Sequence, residues 1–229
     1  KKAKTANTPI IGDIEIFVKN FIEPRIIGIT GTNGKSTTTA LVGHILRCAG
    51  LPVEIGGNIG LPVLGFENTL DAGYQVLELS SYQLELTPSL CCEIAVILNI
   101  SPDHLDRHGG MDGYKAAKLK IMESLPENAI AIIGVDDPES IGIAKWLIEN
   151  EYKNLRVIPI SGLIVPENGV GVLNGNIVSN INRENEVVIS LHDNTILPGV
   201  HNWQNVAAGT AVALTLGLSN NILKTAISS

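Results

Sequence analysis

Runs of Ile, Val and Leu alternate along the chain with stretches whose apolar residues recur every three or four positions. Residues 25–30, 74–79, 94–99, 129–134 and 155–160 are short, apolar almost throughout and rich in β-branched side chains. Such runs predict strands covered on both faces, the condition of a parallel sheet. Between them, residues 38–47, 111–124 and 136–149 have helical spacing and predict crossover helices. The alternation predicts an α/β fold, a mainly parallel sheet with helices on both faces. From residue 169 to 197 the texture changes: shorter alternating strands flank Asn174-Gly175, a hairpin signal, and predict a small antiparallel appendage. Residues 201–216 return to helix, and Ser219 reads as the N-cap of another. An apolar stretch at residues 10–21 is too small for a domain.

With 229 residues and 45% hydrophobic content the chain can bury a substantial core. Its 16 basic and 23 acidic residues give a net charge of -7. The one basic cluster is Lys1-Lys2-Ala3-Lys4, so nucleic acid is not an expected partner. No apolar run approaches the roughly 20 residues of a membrane-spanning helix, and no signal-peptide pattern opens the chain, so no membrane partner and a cytoplasmic location are expected. Cys48, Cys91 and Cys92 lack zinc-type spacing and are expected to be buried, reduced thiols.

One segment carries chemistry in its order. Ile27-Gly28-Ile29-Thr30-Gly31-Thr32-Asn33-Gly34-Lys35-Ser36-Thr37 runs from a strand through a Gly-rich turn into a helix. Backbone N–H groups in such a turn, backed by the positive end of the helix, can wrap a triphosphate. Lys35 would meet the β- and γ-phosphates and the Ser36 hydroxyl a Mg²⁺ ion. Gly31, Thr32, Asn33, Gly34 and Thr37 would complete the cradle. Ile29 stands where the general P-loop pattern has glycine; the plain alternative is a strand-to-helix turn with a surface lysine.

Ligands of open α/β sheets sit at the carboxyl ends of the strands, which directs attention to three further clusters. Glu78-Leu79-Ser80-Ser81-Tyr82-Gln83 puts a carboxylate at a strand tip, where it can hold Mg²⁺ or merely begin a solvated loop. Residues 99–110 concentrate Asp103, His104, Asp106, Arg107 and His108, with an Asx turn as the alternative. His104 by its own chemistry is a poor magnesium ligand, because Mg²⁺ prefers oxygen. Lys115 and Lys118 share a helix face and by default read as surface lysines. Asn202 and Asn205 could read a base edge or cap the helix that follows Gly199.

Taken together these segments resemble the Mur ligases, the ATP-dependent amide-bond-forming enzymes of peptidoglycan synthesis, and in particular their central ATPase domain. The likeness covers nearly the whole chain, and its motifs come in family order: residues 30–37, Gly57-Asn58-Ile59-Gly60, Glu78-Leu79-Ser80-Ser81, residues 99–108, Ala116-Ala117-Lys118, and His201-Asn202 with Asn205. The Ile29 departure is shared by that family. Residues 58–62 and 78–85 look most like the D-glutamate-adding branch, whereas Asp103-His104-Leu105-Asp106 is common to a diamino-acid-adding sibling.

The resemblance implies a P-loop type mononucleotide-binding fold, ATP and two Mg²⁺ ions as cofactors, and the small-molecule substrates UDP-N-acetylmuramoyl-L-alanine and D-glutamate. It implies that Lys35 and Ser36 hold the phosphates and a first metal, joined by Glu78. His104 and Lys118 would serve a second metal, Lys118 as a carbamate formed with CO₂. Asn58, Ser80 and Gln83 would approach the UDP-sugar peptide, and Asn202 and Asn205 the adenine. It further implies that residues 1–24 are the tail of an N-terminal UDP-binding domain, that residues 25–229 are the central ATP-binding domain, and that a C-terminal domain is absent. The isolated chain would then be a monomer and at most a weak nucleotide binder. The nearest alternatives are a diamino-acid-adding ligase and a folylpolyglutamate synthetase. A non-catalytic nucleotide-binding module is the alternative from another class, and the joint presence of Glu78, His104 and Lys118 argues against it.

Overall fold

The computed structural model describes residues 8–21, 24–66, 73–123, 125–191, 197 and 199–228. In chain order the elements are α1 (Asp13–Asn20), β1 (Arg25–Thr30), α2 (Lys35–Cys48), β2 (Val53–Gly57), β3 (Tyr74–Glu78) and α3 (Ser81–Glu85). They continue with β4 (Ile94–Ile97), α4 (Leu105–His108), α5 (Met111–Glu123), β5 (Ile130–Gly134), α6 (Pro138–Glu149) and β6 (Arg156–Ile160). The chain then makes β7 (Val170–Leu173), β8 (Asn176–Ser179), β9 (Glu186–Ser190), α7 (Trp203–Thr215) and α8 (Asn220–Ser228).

Among the described residues nine strands form one sheet in the order β2-β3-β1-β4-β5-β6-β7-β8-β9. Pairing is parallel from β2 to β7 and antiparallel from β7 to β9. Strand periodicity sends alternate side chains of β1 to opposite faces. Ile27 and Ile29 join a core with Leu41, Ile45, Ala207, Ala211 and Leu223 of α2, α7 and α8. Ile26 joins the other core, with Ile14, Tyr114, Ile121, Ile143 and Leu147 of α1, α5 and α6. Gly28 faces that second core, where an added Cβ would lie 2.7 Å from Cys92 Sγ and 3.1 Å from Ile121 Cδ1. The glycine thereby lets α5 settle directly on β1, and α5 carries Lys118.

The five apolar runs read from the sequence are strands, and the three expected helices form, α2 beginning three residues earlier than its apolar spacing suggested. The expected antiparallel strands form at the end of the main sheet and continue it. Val170, Val172, Ile177 and Val188 are buried in the same core as α7 and α8. Asn174 and Gly175 both take positive φ, 48° and 67°, as a two-residue hairpin turn requires. Residues 192–196 of the expected appendage, Ser124 and the Lys1 to Lys4 cluster lie outside the described residues. Strand β2 has no counterpart among the sequence expectations, because Gly56 and Gly57 dilute its pattern and only pairing with β3 makes it a strand. The expectation of three buried thiols holds at Cys92 alone; Cys48, in the last turn of α2, and Cys91, in the loop before β4, are exposed. No described helix is long and apolar enough to cross a membrane.

Candidate active site at the carboxyl edge of the sheet

The turn after β1 enters α2 through Gly34, whose φ of 83° and ψ of -8° are left-handed. A side chain there would be strained and would also overlap Asn205 Oδ1. Helix α2 starts at Lys35, so the first N–H groups of a 14-residue helix point out at this turn without intrahelical partners. Lys35 Nζ folds back and donates to Thr32 O at 2.7 Å. Ser36 is exposed and Thr37 half-buried. Thr32 Oγ1 accepts from Ser101 N–H at 3.0 Å and lies 3.2 Å from the Tyr114 hydroxyl, which fixes the loop to the end of β4 and to α5.

Glu78 ends β3 and is buried. Its Oε1 accepts from Asn58 Nδ2 at 3.0 Å, while Oε2 is buried and has no hydrogen-bond partner among the described residues. Gly57 admits this approach, since a Cβ there would overlap Glu78 O. An unpartnered buried carboxylate oxygen is costly unless a cation or donor completes it. Beside it Ser80 and Gln83 form a capping box at α3. Gln83 N–H donates to Ser80 Oγ at 3.2 Å, and Ser80 N–H to Gln83 Oε1 at 3.0 Å.

Lys118 is 1% exposed. Its Nζ donates to Gly31 O at 2.7 Å, sits 3.5 Å from Thr30 Oγ1 and lies 4.7 Å from the centroid of the Tyr114 ring. Among the described residues it has no ion-pair partner. Burial, reinforced by the positive charge of Lys35 and only partly offset by Asp103, lowers its pKa to about 7. Composition alone reads Lys118 as a surface lysine; the structure puts that description on Lys115, which pairs with Glu139 Oε2 at 2.8 Å.

His104 takes a left-handed φ of 50° at the entry to α4 and is exposed. Its Nε2 lies 3.5 Å from Asp103 Oδ2, and its ring is edge-on to Tyr82 at 5.4 Å. Asn202 precedes α7, and Asn205 is buried in its first turn. Asn205 Nδ2 donates to Asn202 Oδ1 at 3.1 Å, and Asn205 Oδ1 accepts from Thr38 Oγ1 at 3.2 Å. Asn205 thus abuts the loop glycine and α2 directly, so loop and α7 are one assembly.

The Gly-rich loop after β1, Glu78 with Asn58, and Lys118 therefore share the carboxyl edge of the sheet, where the topology of α/β folds concentrates ligands. Among the described residues no three His, Cys, Asp or Glu side chains converge into a metal cage. Magnesium does not need one, since it commonly binds through one or two carboxylates together with substrate phosphates and water. The Glu78 Oε2 atom and the Ser36 hydroxyl suit that mode. Tyr114, which touches both the loop and Lys118, was not singled out from sequence; its one signal was a position four residues before Lys118 on the same helix.

A family model described as Mur ligase middle domain matches residues 29–213. The UDP-N-acetylmuramoylalanine--D-glutamate ligase of Rhodospirillum rubrum is 45% identical over 227 residues, which cover 99% of this chain and 47% of that protein. The protein of the same name from Caulobacter sp. (strain K31) is 48% identical over 224 residues, 95% of this chain and 47% of its own. The chain thus spans about half the length of the curated relatives it matches. Among solved structures, the UDP-N-acetylmuramate:L-alanyl-gamma-D-glutamyl-meso-diaminopimelate ligase from Neisseria meningitides has the same fold. It superposes with a TM-score of 0.71 at 17% identity, covering all of this chain and 73% of that one. The family match runs from the end of β1 into α7 and so takes in the whole carboxyl edge described above: the chain belongs to the Mur ligase middle domain family.

Proposed function

We propose that this chain is the ATP-binding segment of a ligase that joins D-glutamate to UDP-N-acetylmuramoyl-L-alanine. The observation that carries the reading is the meeting, at one sheet edge, of a phosphate loop, a buried carboxylate with a free oxygen and a buried lysine of lowered pKa. The names of relatives 45% and 48% identical supply the substrate pair. The terminal carboxylate of the UDP-sugar substrate takes the γ-phosphoryl group of ATP. The amine of D-glutamate then attacks the acyl phosphate, and phosphate leaves as the amide forms.

In this scheme the N–H groups at the start of α2 and the Lys35 ammonium hold the β- and γ-phosphates. Ser36 and Glu78 hold a first Mg²⁺, whose chemistry when bound is to neutralise the crowded phosphate oxygens. Asn58 orients Glu78 through its 3.0 Å bond. Lys118 reacts with CO₂: its neutral amine forms the N–C bond and gives up a proton, leaving an anionic carbamate. Only the neutral amine can do this, and a pKa of about 7 supplies it at neutral pH. The carbamate oxygens, with His104, would hold a second Mg²⁺. Asn58, Ser80 and Gln83 face the UDP-sugar peptide, Asn202 and Asn205 the adenine side, and the enzyme works in the cytoplasm as a monomer.

Calorimetric titration with Mg²⁺ and a non-hydrolysable ATP analogue tests the cradle, with Lys35→Ala as control. Binding abolished by the substitution supports the reading; no binding by either chain counts against it. D-Glutamate-dependent phosphate release by a protein of the relatives' full length carrying this segment tests the reaction. A carbon-13 carbamate signal under bicarbonate, lost in Lys118→Ala, tests the modification.

A further inference from the structure

Gln204 is buried at the start of α7 and belongs to none of the segments used above, yet both ends of its amide are engaged. Its Nε2 donates to Asp136 Oδ2 at 2.8 Å, and its Oε1 accepts from Asn99 Nδ2 at 3.1 Å. Asn99 in turn clasps the peptide of Asn33 in the phosphate loop. Its Oδ1 accepts from Asn33 N–H at 2.8 Å, and its Nδ2 donates to Asn33 O at 3.1 Å. At the far end Asp136 also accepts from the Ser161 hydroxyl and from Gly162 N–H, the latter at 2.8 Å.

The order of donors and acceptors in this chain is not free. A carboxylate only accepts, so the Gln204 amide must turn its NH₂ to Asp136 and its oxygen to Asn99. Asn99 must then turn its NH₂ towards Gln204, which leaves its oxygen for Asn33 N–H. One carboxylate thus sets the orientation of two amides and the group that holds the loop. Gly134 leaves space for the Gln204 amide, since an added Cβ there would lie 3.0 Å from Gln204 Nε2; at Gly162 it would lie 3.0 Å from the Gln204 backbone N, so that glycine lets α7 approach the end of β6.

We propose that Gln204 is a positioning residue for nucleotide binding, which acts through Asn99 to hold the Asn33 peptide, and with it the phosphate cradle, in its binding shape. The proposal rests on the nucleotide reading given above. It ties the loop after β1 to the ends of β4, β5 and β6, so the cradle is braced across four strands.

The test is calorimetry with Mg²⁺ and a non-hydrolysable ATP analogue on the native protein, Lys35→Ala, Gln204→Met, Asn99→Ala and the Gln204→Met/Asn99→Ala double variant. Methionine keeps the bulk of Gln204 and removes both bonds. Gln204→Met is expected to weaken binding about tenfold, the effect of losing one to two buried hydrogen bonds, with unchanged stoichiometry. The double variant is expected to bind no more weakly than Asn99→Ala, because Gln204 acts only through Asn99. A merely structural role would lower the binding stoichiometry with the loss of folded protein and leave the dissociation constant alone. Native affinity in Gln204→Met, or losses that multiply in the double variant, would overturn the proposal while leaving the nucleotide reading intact. Should Gln204→Met not fold, Asp136→Ala reads the same brace from its other end, with weaker binding expected and native affinity overturning the proposal. Absence of any Lys35-dependent binding in the native protein would overturn both.

Discussion

Replacing Lys118 by methionine removes a buried amine while leaving a chain of similar length beneath the phosphate loop. In the native fold burial and the nearby Lys35 lower the Lys118 pKa from its ordinary 10.5 to about 7. Between those two values the unfolded chain binds a proton that the native state has released, so this residue makes stability rise with pH through the window. Below about pH 7 the native protein carries the buried charge at its full cost. Integrating the linkage from pH 6 to pH 8.5 gives a gain of about 2 kcal/mol for the native protein relative to a variant without the amine. Urea denaturation of both proteins at the two pH values, in buffer free of metal and CO₂, measures it. The native protein should gain about 2 kcal/mol on the Lys118→Met variant as pH rises. Stability profiles that run parallel would refute the reasoning, since they would mean that Lys118 keeps an ordinary pKa and is not desolvated.

Three further outcomes are expected. Glu78→Gln keeps the bond to Asn58 and neutralises an oxygen that has no partner, so its denaturation midpoint should hold or rise while Mg²⁺-dependent nucleotide affinity falls by roughly tenfold or more, as calorimetry would show. Gly34→Ala forces a residue with a side chain into φ 83° against Asn205, and should lower stability by at least about 1–2 kcal/mol in thermal melts and abolish nucleotide binding. Ser80→Ala removes the capping oxygen of α3 and leaves the Gln83 backbone N–H without its acceptor; chemical denaturation should register a loss of about 1 kcal/mol.

Much of the fold was legible in the sequence because both faces of the sheet are covered. A strand buried on two sides is apolar at most positions, and the runs that became β1, β3, β4, β5 and β6 stand out for that reason. The strand-to-helix turn at Gly34 was legible too, since glycine there supplies the left-handed φ that the entry to α2 requires. Asn174-Gly175 announced its turn by requiring positive φ at two successive residues. Strand β2 gave no such signal: its Gly56 and Gly57 serve the close approach of neighbouring backbone, not a pattern of side chains.

What the tertiary structure decided is the environment of residues whose type left several readings open. Lys118 and Lys115 lie three positions apart on α5, yet one is buried under Gly31 and the other pairs at the surface with Glu139. Their difference comes from the two sides of α5 that they leave: Lys118 turns to the end of β1 and Lys115 to Glu139 on α6. Glu78 reads equally well as a solvated loop start in the sequence, whereas its second oxygen is buried and unpartnered among the described residues. The brace from Asp136 through Gln204 and Asn99 to Asn33 joins residues up to 171 positions apart in the numbering, from 33 to 204. Periodicity and local motifs report which face a residue takes and how the chain turns. Which polar atoms meet across a sheet edge depends on strand order and helix depth, and those are set only when the whole core packs.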